Sequence, residues 1–324
     1  MLANPDYGGV DGRSAGHTSD EGHQLQLALE HAGWTLAGAG FADGCRDVTE
    51  LLRRYAPRAV VVADKRDWSP DCEGSYRKDI GFANLAALKA APGVFRACVL
   101  KDAGSMKEYH RAFFAETAAD AAVVYYHPAI VRSLNPWLGL TKIVRTYHTV
   151  DRRLCDSILF RVERKRAIVT GATSSVYPLR TQVMLAATKD PRLGIDVVGH
   201  PGYSNRGHHT PGYLHMIGNY RVHVATASIF GFALRKIIES VAMGCTPVTN
   251  LPAHDVLPKI DGALVRVHPK APVHEVLEAV AAADRAWDRD ERMAWAERAR
   301  GWYDWRAAGL RLHEAIATEM AQPA

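Results

Sequence analysis

One pattern limits what this chain can fold into more than any other. Short runs of consecutive apolar, largely β-branched residues, each closed by a charge or a glycine, alternate with stretches of helical periodicity. Ala59–Val62 reads Ala-Val-Val-Val and leads to Asp64, and Phe95–Leu100 leads to Lys101 and Asp102. Ala121–Tyr126 and Lys142–Tyr147 repeat the form, and a helical pattern over Phe82–Ala91 separates the first two runs. A strand that is apolar at every position, rather than at every second one, must be covered on both faces. Helices that join such strands supply that cover, so the pattern predicts parallel sheets.

A second series starts near Ala167. Ala167–Thr170, Ile195–Val198, Val222–Ala225, Thr246–Thr249 and Ala263–Val267 read as strands. Helices are expected from about Pro178, over Gly231–Met243, and through a charged tail from Val273 to Met320. The charged stretch Asp151–Arg166 parts the two series. At 324 residues the chain also exceeds one ordinary domain of ~150 residues. The expected fold class is therefore α/β, with two Rossmann-like, doubly wound domains over residues 1–155 and 156–300 and a C-terminal helix over 301–324. Doubly wound sheets bind ligands beyond the carboxyl ends of their strands, so the chemistry is expected in a cleft between the two domains.

Composition excludes several alternatives. The five cysteines, Cys45, Cys72, Cys98, Cys155 and Cys245, are scattered and form no Cys-x-x-Cys pair. That argues against a disulfide framework or a zinc knuckle and for a reducing, cytoplasmic setting. No stretch approaches the ~18 apolar residues of a membrane span, and no basic segment followed by an apolar run opens the chain. The formal net charge of +5 suits a polyanionic partner without requiring one.

The richest segment is Phe230-Gly-Phe-Ala-Leu-Arg-Lys-Ile-Ile-Glu-Ser-Val-Ala-Met-Gly-Cys-Thr-Pro-Val248. Gly231 and Phe232 form a turn into a helix whose free N–H groups suit a phosphate, with Arg235 and Lys236 adding cationic donors. Glu239 follows one turn after Arg235 and can accept two hydrogen bonds from a ribose diol. Gly244 ends the helix ahead of the next strand. A plain amphipathic helix capped by glycine would share this pattern. The Glu239…Gly244-Cys-Thr-Pro-Val stretch resembles the donor-binding motif of group 1 glycosyltransferases, whose usual form is a glutamate followed by Gly-Thr-Pro-Val. That resemblance implies that Glu239 binds the donor ribose. A second glutamate common in that family eight residues earlier is here Gly231, which makes the two-glutamate retaining members a poorer match.

A second segment, Val169-Thr-Gly171-Ala-Thr173-Ser174-Ser-Val-Tyr-Pro178-Leu-Arg180, puts a small-residue turn between a strand and a helix, with proline at the helix start and arginine just inside it. Arginine can grip a diphosphate through two parallel hydrogen bonds. The spacing resembles phage DNA β-glucosyltransferases and spore-maturation-type sugar transferases, where a Gly-Ser turn with a following arginine, and a second arginine near the later glutamate, hold the donor diphosphate. The resemblance implies these roles for Gly171, Thr173, Ser174, Arg180 and Arg235. Arg235 lies one residue early, and Lys236 is the alternative occupant of its slot.

In the first half, Asp102 follows the strand Phe95–Leu100. The order of elements is similar to the phage enzymes, in which an aspartate after such a strand is the catalytic base; Asp64 and Asp67 compete for the role, and a loop aspartate capping a helix is the plain alternative. The glycine-rich opening, Asn4 to Arg13, reads as an acceptor loop or a loose end.

Other groupings carry less. His200, His208, His209 and His215 lack a paired carboxylate, and Asp288-Arg-Asp290 lies in the charged tail rather than after a strand, so neither metal nor cofactor is expected. Gly38-Ala-Gly40 is too isolated for a dinucleotide fingerprint. The tryptophans of the tail, Trp287, Trp295, Trp302 and Trp305, read as packing anchors. Together the composition, the motifs and the resemblances imply a cytoplasmic, metal-independent, inverting glycosyltransferase (in a host's cytoplasm if phage-encoded). Its donor would be a UDP-sugar or another NDP-sugar, and its acceptor a hydroxyl, with a hydroxymethylated pyrimidine in DNA among the candidates. A small-molecule, glycan or protein acceptor, a nucleotide-sugar epimerase, and a silent nucleotide- or nucleic-acid-binding protein are the rival readings.

Overall fold

The valine-rich runs pair as parallel strands, as their uniform apolarity requires. The computed structural model describes residues 21–37, 45–62, 67–68, 76–77, 82–100, 103–105, 107–158, 163–199 and 209–322. Two compact units emerge, Met1–Tyr147 with Trp305–Ala324, and His148–Asp304.

The first unit contains α1 (Glu21–His31), α2 (Val48–Tyr55), β1 (Ala59–Val62), a two-strand antiparallel ladder of β2 (Asp67–Trp68) and β3 (Tyr76–Arg77), and α3 (Ala87–Ala90). It continues through β4 (Phe95–Leu100), α4 (Lys107–Thr117), β5 (Ala121–Val124), α5 (Pro128–Leu134) and β6 (Lys142–Arg145). Its main sheet is parallel in the order β1-β4-β5-β6. All four β5 residues and the last four of β4 have no exposed surface. The helix expected over Phe82–Ala91 is only α3. Ala83 instead forms a parallel bridge with Asp47, and Asn84 takes a left-handed backbone (φ 58°) while its amide donates to Asp47 Oδ2 at 2.8 Å. That exchange diverts the first part of the pattern into a turn.

The second unit runs α6 (Arg152–Ser157), β7 (Lys165–Gly171), α7 (Pro178–Lys189), β8 (Ile195–Gly199), α8 (His209–Ile217), β9 (Tyr220–Val224), α9 (Arg235–Ala242), β10 (Thr246–Thr249), β11 (Val265–Arg266), α10 (Val273–Arg285) and α11 (Arg289–Tyr303). Its sheet is fully parallel in the order β11-β10-β9-β7-β8. Alternate residues sort to opposite faces. Ala167, Val169, Val222 and Val224 pack with Val183 and Met184 of α7 and Val276 and Val280 of α10. The intervening Thr170 and His223 face the other way, toward Ser240 of α9.

The charged stretch expected to part the domains is used inside the second unit. Asp151 caps α6 by accepting from Arg153 N, Asp304 accepts from Arg152 N at 3.0 Å, and Arg300 of α11 pairs with Asp156 at 3.0 Å. The helical tail resolves into three helices. Asp288 caps α11 by accepting from Glu291 N, and the chain breaks again at Asp304 before α12 (Trp305–Ala321), which belongs to the first unit. There α12 packs on α1 so closely that a β-carbon on Gly309 would lie 2.1 Å from the carbonyl oxygen of Ala28. Trp305 is buried at 9 % exposure, edge-on to His31, and Trp295 lies against Gly262.

Candidate functional site

The strand order of the second unit creates one privileged position. From β7 the chain moves outward to β8, then returns across β7 to β9 and continues away from it. The connections leaving β7 and β9 therefore part to opposite faces, and the crevice between their carboxyl ends is where such sheets bind ligands. Two loops meet there, 172–177 after β7 and 225–234 after β9. Ile229 N donates to Val176 O at 2.9 Å, and Ala227 N donates to Asn250 Oδ1 at 2.8 Å, so the loops are tied to each other and to the end of β10.

Arg180 spans this crevice from α7. It is 2 % exposed and donates from Nη1 to Ala172 O at 3.1 Å, from Nε to Thr226 Oγ1 at 3.2 Å and from Nη2 to Thr226 O at 3.3 Å. Its guanidinium also stacks on the Tyr177 ring at 3.9 Å. Burial pulls its pKa below the ordinary arginine range, partly offset by Tyr177 and Tyr213.

Lys236 arrives from α9, on the opposite face of the sheet, and its Nζ donates to Thr170 O at 2.9 Å. Gly171 marks where the two cations converge. A β-carbon there would lie 2.5 Å from Lys236 Nζ and 3.0 Å from Arg180 Nη1, and the residue has φ 113°. Burial first, and repulsion from Arg180 second, lower the Lys236 pKa from 10.5 to about 7, with Glu239 opposing the change. Among the described residues neither Arg180 nor Lys236 forms an ion pair with a carboxylate. Buried charge without a counter-ion is costly unless a bound anion supplies one.

The helix start differs from the sequence expectation. It begins at Arg235 instead of Gly231, because Gly231 takes φ 72° and closes a turn by donating to Ser228 O at 2.9 Å. The N-cap residue Leu234 gives no side-chain cap, which leaves the first N–H groups without the usual side-chain acceptor. The shift makes Arg235 and Lys236 consecutive residues of the opening turn, and their side chains diverge. Lys236 reaches the crevice, whereas Arg235 pairs with Glu239, Nε to Oε1 at 2.9 Å, and the glutamate side chain is 7 % exposed. At the other end Gly244 (φ 71°) donates to Val241 O and Cys245 N to Ser240 O, a Schellman closure.

Comparison with known proteins gives a fold and no close relative. No family model matches the chain, and no curated protein matches it. Among solved structures, a glycosyltransferase from Rickettsia africae superposes with a TM-score of 0.54 at 11 % identity, over 96 % of this chain and 92 % of that one. The fold is GT-B. Two others fall below a TM-score of 0.5. AviGT4, a glycosyltransferase involved in avilamycin A biosynthesis, scores 0.42 at 10 % identity over 81 % of this chain and 98 % of that one. The catalytic domain of starch synthase IV from Arabidopsis thaliana, bound to ADP and acarbose, scores 0.46 at 9 % identity over 84 % and 75 %.

Within this GT-B chain the remaining expected residues scatter in role. Thr173 and Ser174 are exposed in the loop after β7, where Ser174 Oγ accepts from Val176 N at 3.3 Å and so shapes the turn. Phe232 is buried at 5 % exposure against Phe230, with ring centroids 5.3 Å apart. Asp102, Asp64, His200, His208, Cys72, Gly38 to Gly40 and the opening segment from Asn4 to Arg13 lie outside the described residues, as does the side chain of Asp67. None of the four described cysteines forms a disulfide, and burial raises Cys155 and Cys245 to about 12. Asp288 and Asp290 are exposed, and no metal-holding cluster of His, Cys, Asp or Glu occurs among the described residues. No described helix is long and apolar enough to cross a membrane. A cavity of about 350 Å³ in the first unit, lined among others by Trp34, Leu51, Tyr55 and Leu88, borders Pro57, Ala59 and Val60 at the amino end of β1. That is the wrong end of a parallel strand for ligand chemistry.

Sequence reasoning missed four residues around the site: Thr170, Tyr213, His223 and Thr226. The one available signal was His223, a titratable side chain in the middle of an otherwise apolar strand.

Proposed function

We propose that the chain transfers a sugar from a nucleoside-diphosphate sugar to a hydroxyl acceptor. The observation that carries this is the pair Arg180, buried, and Lys236, half-buried, two cations without a carboxylate partner among the described residues, converging at the switch point of the second unit. A diphosphate carries the charge and the oxygen count that such a pair lacks, and glycine at 171 lets it come close to the backbone. A GT-B fold is compatible with this chemistry.

On this reading the bond between the anomeric carbon and the β-phosphate oxygen breaks while the acceptor oxygen bonds to that carbon. Arg180 and Lys236 stabilise the charge that develops on the departing nucleoside diphosphate, so no metal is required. Glu239, held by Arg235, receives the ribose hydroxyls. A carboxylate of the first half, Asp102 in the first instance and Asp64 in the second, accepts the acceptor's proton, and a single displacement inverts the anomeric centre. The acceptor rests on the sequence resemblance alone, which places a hydroxymethylated pyrimidine in DNA first, ahead of small-molecule, glycan and protein hydroxyls.

The test is to incubate the protein with UDP-, GDP-, ADP- and dTDP-sugars and follow nucleoside diphosphate release, with and without hydroxymethylated DNA and simple hydroxyl acceptors. Acceptor-dependent release supports transfer. Epimerised sugar without release indicates an epimerase, and binding without turnover indicates a silent nucleotide-binding protein. Wild-type turnover by Asp102→Asn would remove that residue from its role and move the test to Asp64.

A further inference from the structure

Behind the two cations lies a chain of buried polar groups that no residue of the proposed reaction accounts for. His223, in the middle of β9, has no exposed surface. Its Nδ1 is 2.6 Å from Ser240 Oγ and its Nε2 is 3.0 Å from Thr170 Oγ1, which is itself 3.2 Å from Tyr213 OH. Ser240 Oγ also contacts Lys236 O at 2.5 Å.

The hydrogens in this chain can be assigned by counting. Ser240 has one hydroxyl hydrogen, and two oxygens at 2.5 Å need a hydrogen between them, so Ser240 donates to Lys236 O. The contact to His223 must then be Nδ1–H donating to Ser240 Oγ. Burial, with Lys236 and Arg180 nearby, keeps the imidazole neutral, which leaves Nε2 as an acceptor. Thr170 donates its only hydrogen there, and Tyr213 donates to Thr170. Every hydrogen has an acceptor, in one direction from Tyr213 through His223 to the first turn of α9.

The chain closes into a ring through Lys236. Its main-chain carbonyl is held by Ser240, and its ammonium is held by the carbonyl of Thr170, the residue whose hydroxyl meets His223. We infer that His223 is a positioning residue that holds the Lys236 ammonium at the anion site by locking Thr170 of β7 to Ser240 of α9. The inference deepens the donor-site reading and rests on it for its consequence in binding, but its geometry stands independently. A long lysine side chain has much rotamer freedom to lose, and fixing it before the ligand arrives removes that cost from binding.

Two measurements on the full chain separate the inference from the reading beneath it. The first is the pH profile of Lys236 acetylation by acetic anhydride, read by peptide mass spectrometry, which needs no nucleotide. His223→Leu removes both hydrogen bonds and should move the midpoint upward by about one pH unit or more as the ammonium gains water. Thr170→Val, which keeps the size of the side chain, should shift it the same way, and His223→Gln, which retains an amide, should restore most of the wild-type profile. The second is UDP affinity by calorimetry, which should weaken by about tenfold or more in His223→Leu and recover in His223→Gln. Unchanged acetylation midpoints in both His223→Leu and Thr170→Val would overturn the inference. A shifted midpoint in a protein whose wild type binds no UDP, GDP, ADP or dTDP would leave the inference standing and sink the donor-site reading instead.

Discussion

The ammonium of Lys236 donates to the main-chain carbonyl of Thr170 across 2.9 Å, which fastens the first turn of α9 to the last residues of β7. The bond satisfies one N–H of the ammonium and none of its charge; four predictions concern that imbalance and its surroundings, and a fifth concerns the packing of the first unit.

Lys236→Met keeps the length of the side chain and removes the uncompensated charge. The melting temperature should stay the same or rise, because a half-buried cation with no carboxylate partner among the described residues is a net cost. Nucleoside diphosphate affinity should fall by roughly 10- to 100-fold, the loss of one charge-assisted contact. Thermal melting and calorimetry with UDP and GDP measure both. A variant that melts lower yet binds as tightly would contradict the assignment.

A second consequence concerns protons. In the free protein Lys236 titrates near 7 instead of 10.5. Between those values the unfolded chain holds a proton that the folded chain has released, so this group makes stability rise with pH across that window. A diphosphate favours the charged ammonium and raises its pKa again. Binding at pH 8 should therefore take up as much as about one proton, and affinity should decline as pH rises above 7. Titrations in buffers of different ionisation enthalpy report the uptake directly, and none should be seen in Lys236→Met.

Gly171→Ala tests the geometry of the site. The backbone there has φ 113°, and the new methyl would fall 2.5 Å from Lys236 Nζ. The conformation alone costs ~1–3 kcal/mol in a residue with a side chain, and the ammonium must also leave its place. We expect lower stability together with loss of nucleotide binding; unchanged UDP affinity would show that anions do not enter here.

Glu239→Ala separates the ribose from the phosphates. Glu239 is assigned to the sugar hydroxyls, so its loss should weaken UDP binding by about tenfold or more and inorganic pyrophosphate binding far less. Equal losses for both ligands would place Glu239 in the support of Arg235 and the helix, where their 2.9 Å pair lies, rather than on the ligand.

Gly309→Ala sets two effects of opposite sign against each other. Alanine gains ~1 kcal/mol of helix propensity over glycine. The added methyl would lie 2.1 Å from the carbonyl of Ala28, a backbone atom that cannot step aside, and overpacking of this kind costs ~1–3 kcal/mol or more. The clash should win, and chemical denaturation should show a less stable protein.

The legible part of this fold was its strands. Ala59–Val62, Phe95–Leu100 and Thr246–Thr249 match the expected bounds to the residue, because apolar runs cut off by charge or glycine carry their own punctuation. Helix starts were harder. Gly231 looked like the residue before a helix, yet a turn closed by Ser228 O occupies that glycine and delays α9 to Arg235. The separate helix expected over 301–324 falls close to the break at Asp304, but nothing in its pattern shows that α12 rejoins the first unit.

The sequence by itself determined that this chain would build parallel sheets in two units, and it marked Arg180, Lys236 and Glu239 through local patterns of turn, charge and helix end. Only the tertiary structure decided which cation faces the crevice. Arg235 and Lys236 are neighbours in the chain, but one residue of helix is a rotation of ~100°, so one pairs with Glu239 while the other meets Arg180 from across the sheet. The His223 ring belongs wholly to that second level, since its partners lie 53 residues before it on β7 and 17 after it on α9 and meet only when the sheet has formed.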